Sequence, residues 1–330
     1  LKERIAVEMT TSLATAANYD VESQIDMRAL PKSGGMIKLP MFDKVTKDSP
    51  AFERWLHTNT TSQKQEGFFT VFITLGAGDI TASQLRILAS AIRELSAEGV
   101  ARTTPQQNFA VRYVRGSDLR EFFDRLSTAG LANPGALTIA SAVGCSGTTS
   151  CNLAITNSHR LAKEVQRKFL EMGLDTDDSM ADATIKISGC PNSCGQHEIA
   201  TIGFFGGATR MNGAMVPTYT MLLGGSSDEL GRATMRVPSK RVIDTVLKII
   251  EIYRQQKSAN NTLNQWISSV VKGAGAGSIK NLEDMKEALA QVIAGLGAQV
   301  LARLGDPAGG GGPVNLIDHG DLVDGAVIDD

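Results

Sequence analysis

The chain has 330 residues, 42% of them hydrophobic, with 33 basic and 35 acidic side chains and a formal charge of -2. That length can bury a sizeable core, divided between two units. The near-balance of charge gives no electrostatic case for nucleic acid or an anionic membrane as partner. No apolar run reaches the ~18 residues that cross a bilayer and no signal peptide is recognisable. Four cysteines are too few for a disulfide-stapled secreted domain, so a reducing cytoplasm is expected.

Leu1 in place of methionine leads us to expect a processed chain or a piece of a longer reading frame. Residues 1–66 mix Pro, Gly and charge without a sustained period, which reads as mostly loop with short helices at its edges. "GFFTVFITL", Gly67 to Leu75, is rich in β-branched and aromatic residues and reads as a buried strand. After the turn "GAGDI", Thr81 and Gln84 form a capping box for a helix from Ala82 to about Leu95, with Leu85, Leu88, Ala89 and Ile92 at helical spacing. "NFAVRYV", Asn108 to Val114, reads as a second strand, and Ser117 as the cap of a helix from Asp118 to about Thr128. Two strands cannot make an independently stable sheet. No second copy of the unit occurs in the chain, so it is expected to pair with a mate outside this sequence.

Further on, Leu161, Val165, Phe169 and Met172 line one face of a helix expected from about Asn152 to Met172. "ATIKIS", "IATIGFFG" and "MVPTYTMLLGG" read as strands, and "SKRVIDTVLKIIEIYRQQ" as an amphipathic helix. Beyond residue 258 we expect a flexible joint at "GAGAGS", one more helix, a second joint at "GDPAGGGGP" and a mobile tail rich in aspartate.

All four cysteines fall in two glycine-marked turns, "VGCSGTTSCNLAI" and "ISGCPNSCGQHEI". Buried thiols packing as small hydrophobes would sit on apolar faces rather than in such turns. Disulfides lack any other sign of an oxidising compartment. Structural zinc draws cysteines from knuckles with two to four residues between ligands; the second pair suits this, but the first, with five intervening residues, is too wide. Iron-sulfur clusters accept more varied spacing. Cys151, expected at a helix N-terminus, would meet favourable dipoles and free N–H groups. Gly144, Gly147, Gly189 and Gly195 would let backbone amides approach the sulfurs.

At this point the sequence resembles the siroheme-containing nitrite and sulfite reductases. C-S-G-T-T-S-C followed by G-C-P-N-S-C-G-Q carries the resemblance, joined by "QKQEGF" (Gln63 to Phe68) and "RTTPQQN" (Arg102 to Asn108, an R-x-T-x-x-Q-N element). It covers roughly residues 60–256, in the manner of the C-terminal half of such an enzyme. It implies an α+β fold: a ferredoxin-like half-domain, then a mixed α/β siroheme- and [4Fe-4S]-binding domain, with a helical C-terminal extension. The boundaries expected are 1–62 for a linker or remnant of a preceding half, 63–132 and 133–258 for the two domains, and 259–330 for the extension and acidic tail.

The resemblance implies that Cys145, Cys151, Cys190 and Cys194 bind a [4Fe-4S] cluster, and that Cys194 also bridges to the siroheme iron. The implied reaction is six-electron reduction of nitrite to ammonia, electrons passing from the cluster through that cysteine to siroheme. Sulfite reduction to sulfide is the alternative, nitrite being favoured by "N-S-C-G-Q". Arg102, Thr104, Gln107, Asn108 and Asn192 are implied to face the cofactor. His197 is expected to be an ordinary loop histidine rather than an axial ligand. The family's substrate-gripping Arg and Lys come chiefly from the first half, so none is assigned; Lys38, Lys44, Arg112 and Arg210 are the available cations. Ferredoxin, flavodoxin or a flavoprotein subunit is the implied electron donor, and the missing half is expected in cis or in trans, without which the chain would be inactive. Two other classes stay open: an iron-sulfur electron-transfer module without siroheme, and a zinc-stabilised structural domain.

Overall fold

The computed structural model describes residues 49–211, 214–257, 261–290 and 292–293. The expectations for residues 1–48, with Lys38 and Lys44, and for the second joint and acidic tail lie outside the described residues.

A helix that the sequence reading left among loops opens the first unit. α1 (Pro50–Asn59) starts at a proline, whose fixed φ suits the first helical position, and Ser49 accepts the amide of Phe52 at its N-cap. Trp55 is fully buried, packed with Phe52 and Phe123. β1 (Thr60–Ser62) follows, then β2 (Phe68–Ile73), α2 (Ala82–Leu95), β3 (Ala101–Thr103), β4 (Phe109–Arg115) and α3 (Leu119–Thr128). The strands form an antiparallel sheet in the order β1-β2-β4-β3. Expecting two strands was therefore an undercount. The three-residue edges β1 and β3 are too short and polar to show a period, but they bring the sheet above the three-strand minimum. α2 carries the expected capping box, Thr81 with Gln84. Ser117 is not a cap: a 3-10 turn over Gly116–Asp118 precedes α3, and the Ser117 hydroxyl donates to Asp118 instead. Leu88, Ala91 and Ile92 of α2 pack with Leu119, Phe122 and Leu126 of α3 over Val71, Ile73 and Val111 of the sheet.

The second unit is a five-stranded mixed sheet, β5 (Val143–Gly144), β6 (Ile185–Ser188), β7 (Ile202–Met211), β8 (Ala214–Leu223) and β9 (Arg232–Pro238), in sequential order. β5, β6 and β7 are parallel and the rest antiparallel. α4 (Ser158–Glu171) makes the crossover from β5 to β6, as a parallel pair requires. It begins six residues later than expected because Asn157, not a residue near Cys151, supplies the cap by accepting the Arg160 amide. Met172 is exposed while Val165 and Phe169 are fully buried. β9 was not foreseen in "RATMRVP", where arginines alternate with small residues.

α5 (Val242–Gln256) and α6 (Leu263–Val271) join the same core as α4. α6 was also unforeseen. Thr262 and Gln265 form its capping box, and Leu263, Trp266, Ile267 and Val270 are buried with Met285 and Leu289 from the helical residues 282–290. The described part of the C-terminal region is thus core rather than appendage. The joint at "GAGAGS" connects these two segments.

Polar contacts lock the units together. Arg54 of α1 donates from Nε to Asp175 Oδ2 at 2.7 Å and from Nη2 to the Leu170 carbonyl at 2.7 Å, and Asp175 is fully shielded. Asn108 accepts the Leu75 amide at 2.9 Å and donates to Ser141 Oγ at 3.0 Å.

Candidate iron-sulfur and siroheme site

Two chain reversals at the ends of neighbouring parallel strands create the site. β5 ends at Gly144 and delivers Cys145; β6 ends at Ser188 and delivers Cys190 two residues later. Because the strands pair side by side, Gly144 opposite Ile187, the loops emerge together. The Cys145 amide continues the ladder to the Ile187 carbonyl at 3.1 Å. The Gly189 amide donates to Cys145 Sγ at 3.1 Å. Cys145 sulfur therefore touches the residue joined to Cys190, so the first cysteine loop bonds to the second.

Glycine matters most at two positions here. A Cβ on Gly189 would lie 2.9 Å from the Thr156 carbonyl oxygen and 3.0 Å from Gly147 Cα, so the loops could not seat against each other. A Cβ on Gly195 would stand 2.2 Å from the Ile187 carbonyl oxygen, lifting the second loop off its strand.

The helix-terminus expectation falls on a different cysteine. Cys151 lies seven positions before α4 begins, after a 3-10 turn over Gly147–Thr149, and its amide bonds to the Gly147 carbonyl. Cys145 is the thiol at the helix start: Ser158, the first residue of α4, has its Oγ 3.1 Å from Cys145 Sγ and donates to the Cys145 carbonyl at 2.9 Å. The sequence could not show this, because the chain returns to Cys145 only after a turn through "CNLAITN". Of the amides expected near the sulfurs, that of Gly189 is the one seen bonded.

The four thiols are graded in exposure. Cys190 is buried, Cys145 and Cys151 are half-buried and Cys194 is exposed. All four are free thiols. Among the described residues, no three His, Cys, Asp or Glu side chains sit closely enough to hold one metal ion.

The second loop is fastened from beneath. Ser188, fully buried, accepts the Gly195 amide at 3.0 Å and meets His197 Nδ1 at 2.8 Å. Ser193 and Gln196 adopt left-handed φ of 58°, a conformation that costs a non-glycine residue ~1–2 kcal/mol. His197 is buried, meets Ser188 Oγ, and lies tilted against Phe205 with ring centroids 5.0 Å apart and planes at 40°. Burial holds its pKa below the ordinary histidine value, against the opposing charge of Glu198. Lys186, also on β6, donates to Gln196 Oε1 at 2.7 Å. Below Cys145, burial pushes the Tyr219 phenol up, while a hydrogen bond to Thr156 opposes the shift.

The R-x-T-x-x-Q-N residues sit at the junction of the units. Gln107, with φ of 60°, grips Gly144 with both ends of its side-chain amide: Nε2 donates to the Gly144 carbonyl at 2.9 Å and Oε1 accepts the Gly144 amide at 3.1 Å. It behaves as an extra strand partner for the residue preceding Cys145. Thr104 accepts the Asn108 amide, and Asn108 joins Leu75 to Ser141. Arg102 forks onto Glu98 with bonds of 2.7 and 2.6 Å, and Arg112 forks onto the same carboxylate. Burial would raise the Glu98 pKa, but hydrogen bonds from Arg112 and Arg102 prevail and leave it below the ordinary carboxylate value. Asn192 is exposed in the second loop. Of these five polar residues, Gln107 bonds directly to the strand end that carries a cysteine. Among the other cations considered, Arg112 is committed to Glu98 and Arg210 is exposed on β7. The sequence reading passed over Ser158, Lys186, Ser188 and Gln196. A lysine between two isoleucines in a four-residue strand was the one available signal.

Two family profiles match this chain in succession: the nitrite/sulfite reductase ferredoxin-like half domain over residues 61–129 and the nitrite and sulphite reductase 4Fe-4S domain over residues 136–287. The assimilatory ferredoxin-dependent nitrite reductase of Haloferax mediterranei is 26% identical over 212 residues, 63% of this chain and 36% of the relative. The ferredoxin–nitrite reductase of Synechococcus elongatus is 31% identical over 164 residues, 49% of this chain and 31% of the relative. A ferredoxin-type sulfite reductase of Mycolicibacterium paratuberculosis is 24% identical, covering 61% and 38%. This chain thus spans about a third of the length of these relatives. In fold it is similar to the Mycobacterium tuberculosis NirA protein, with TM-score 0.55, 24% identity and coverage of 69% of this chain and 41% of that one.

Proposed function

Because this chain belongs to the nitrite and sulfite reductase family, we propose that it is the cluster-bearing half of a siroheme-dependent oxidoreductase that reduces nitrite to ammonia, with sulfite reduction as the second reading. One observation carries this: the two cysteine loops emerge from adjacent parallel strands, with Cys145 sulfur bonded to the Gly189 amide beside Cys190. Cys145, Cys151, Cys190 and Cys194 would hold the [4Fe-4S] cluster. Cys194 would be the shared ligand to siroheme, as the one exposed thiol of the four. When bound, the cluster and siroheme would supply electrons singly to a substrate anion.

The chain's own residues do positioning work. Ser158 and the Gly189 amide orient Cys145; Ser188 and His197 set the curvature of the Cys190–Cys194 loop. Amide donors to sulfur stabilise the extra electron density of the reduced state. Gln107 ties the first unit to the strand end feeding Cys145. We take Arg102 to act through Glu98 and not by direct contact, and leave Asn192 as the member of this set free to reach a macrocycle. Because Cys194 is exposed, a macrocycle bound there needs a second protein surface to exclude water. A preceding half, in cis or in trans, would provide it along with the substrate-gripping cations. The electron donor would be ferredoxin, flavodoxin or a flavoprotein, and the compartment a reducing cytoplasm, where disulfides are rare. The division between residues 132 and 133 belongs to the same reading, with α1 assigned to the first unit and α6 to the second, whose end moves past the expected residue 258.

Nitrite is favoured by the "N-S-C-G-Q" run and by the nitrite reductases among the relatives; sulfite reductases match over the same span. No described helix is long and apolar enough to cross a membrane. The test is anaerobic purification from a siroheme-competent host. A Soret-like band with a red band and about four non-siroheme irons per chain is expected, with each Cys→Ser variant losing iron. Colourless protein would sink both iron readings, and a broad shoulder alone would leave the electron-transfer module.

A further inference from the structure

Lys186 is 8% exposed and belongs to a strand buried on both sides. Ile185 and Ile187 face the main core; alternation along the strand puts Lys186 and Ser188 on the opposite face. That face is covered by the cysteine loop. Gln196 Oε1 accepts from the Lys186 ammonium at 2.7 Å, while Ser188 holds Gly195 and His197. Opposite Lys186 on the next strand stands Gly203, whose missing Cβ admits the His197 carbonyl. The ammonium therefore lies under residues 195–197, immediately past Cys194.

Its partners do not match its charge. Among the described residues no ion pair with a carboxylate is found for Lys186, and its hydrogen-bond partner is a neutral amide. Burial alone moves its pKa, downward. A cation partly withdrawn from water without an anion is destabilising, and a leucine or methionine would fill the same position without that cost. A bound anion above this loop would supply the balancing charge. Resting on the family-cofactor reading above, we propose that Lys186 is the built-in counter-charge of the anionic [4Fe-4S] cluster, held under the Cys190–Cys194 loop by Gln196 to favour the reduced state. Four thiolates leave the cluster with net negative charge, and one-electron reduction adds another. A fixed cation on the loop's inner side opposes that accumulation.

This role and a purely structural one predict opposite signs. The full chain is loaded with cluster in a host that makes no siroheme, so that tetrapyrrole carboxylates cannot act as the anion. Lys186→Met and Lys186→Arg are compared with the parent. As counter-charge, Lys186→Met weakens cluster reduction about tenfold, equivalent to a midpoint potential lower by about 59 mV for one electron, and Lys186→Arg stays near the parent value. The cluster-free Lys186→Met protein also becomes more resistant to urea than the parent, since an unbalanced charge has left the interior. Equal potentials in parent and methionine variant overturn the proposal and leave the cofactor reading intact. A less stable apoprotein with unchanged potential assigns Lys186 to loop packing. A parent chain that takes up no cluster overturns both readings together.

Discussion

Replacing Gln107 with alanine separates a cofactor ligand from a structural clasp. In the parent, both ends of the Gln107 amide bond to the buried Gly144 backbone at 2.9 and 3.1 Å. Each neutral hydrogen bond contributes about 1 kcal/mol net, and a buried group left unpaired loses ~1–3 kcal/mol. Gln107 is half-exposed, so water can enter the space vacated and limit the second loss. About 2 kcal/mol of destabilisation is expected. With a urea slope of ~2 kcal/mol/M, the midpoint of the cluster-free chain should fall by about 1 M. Backbone conformation supplies an internal control. At φ of 60° alanine retains a left-handed strain of ~1–2 kcal/mol that glycine relieves, while glycine forfeits ~0.5–1 kcal/mol in chain entropy. Gln107→Gly should therefore be milder than Gln107→Ala by roughly 0.5–1 kcal/mol. Urea unfolding of the three apoproteins measures this, and iron content after anaerobic loading shows whether Cys145 is still presented. Unchanged apoprotein stability in Gln107→Ala, with loss of siroheme uptake alone, would refute the clasp and return Gln107 to the cofactor.

Other perturbations test the frame around the site. Arg54→Ala leaves the shielded Asp175 carboxylate without its ion pair. Loss of one partner of a buried pair costs ~3–5 kcal/mol, and partial exposure of Arg54 puts the expectation near the lower end; Asp175→Asn in the same chain should recover part of it in a double-mutant cycle. Ser188→Ala removes the acceptor for Gly195 N–H and the partner of His197, and should lower iron retention more than it lowers helix content by circular dichroism. Glu98 titrates lower folded than unfolded, so its contribution to stability is full above the ordinary carboxyl pKa of about 4.3 and is lost as pH falls through the lower folded value. Glu98→Gln should accordingly flatten the acid limb of a stability–pH curve while changing the curve's shape little above pH 6 or so.

Local chemistry made much of this protein legible in its sequence. β2 and β4 stood out through β-branched and aromatic runs, and the Thr81–Gln84 capping box marked the start of α2. Cysteine spacing and the flanking Pro, Asn and Gly marked out the two cysteine loops, because tight turns constrain consecutive residues. The short edges β1 and β3 escaped because three polar residues show no period, and β9 because arginines interrupt its apolar positions; α6 was passed over despite its local Thr262–Gln265 capping box. Which thiol sits at a helix start was decided only in three dimensions, where the turn after Cys151 returns Ser158 to Cys145. The same holds for Gln107, which bonds to Gly144 across 37 residues, and for Lys186, whose burial depends on a loop folding back over its own strand. Side-chain roles of this kind follow from what packs opposite, and no spacing within the chain encodes that.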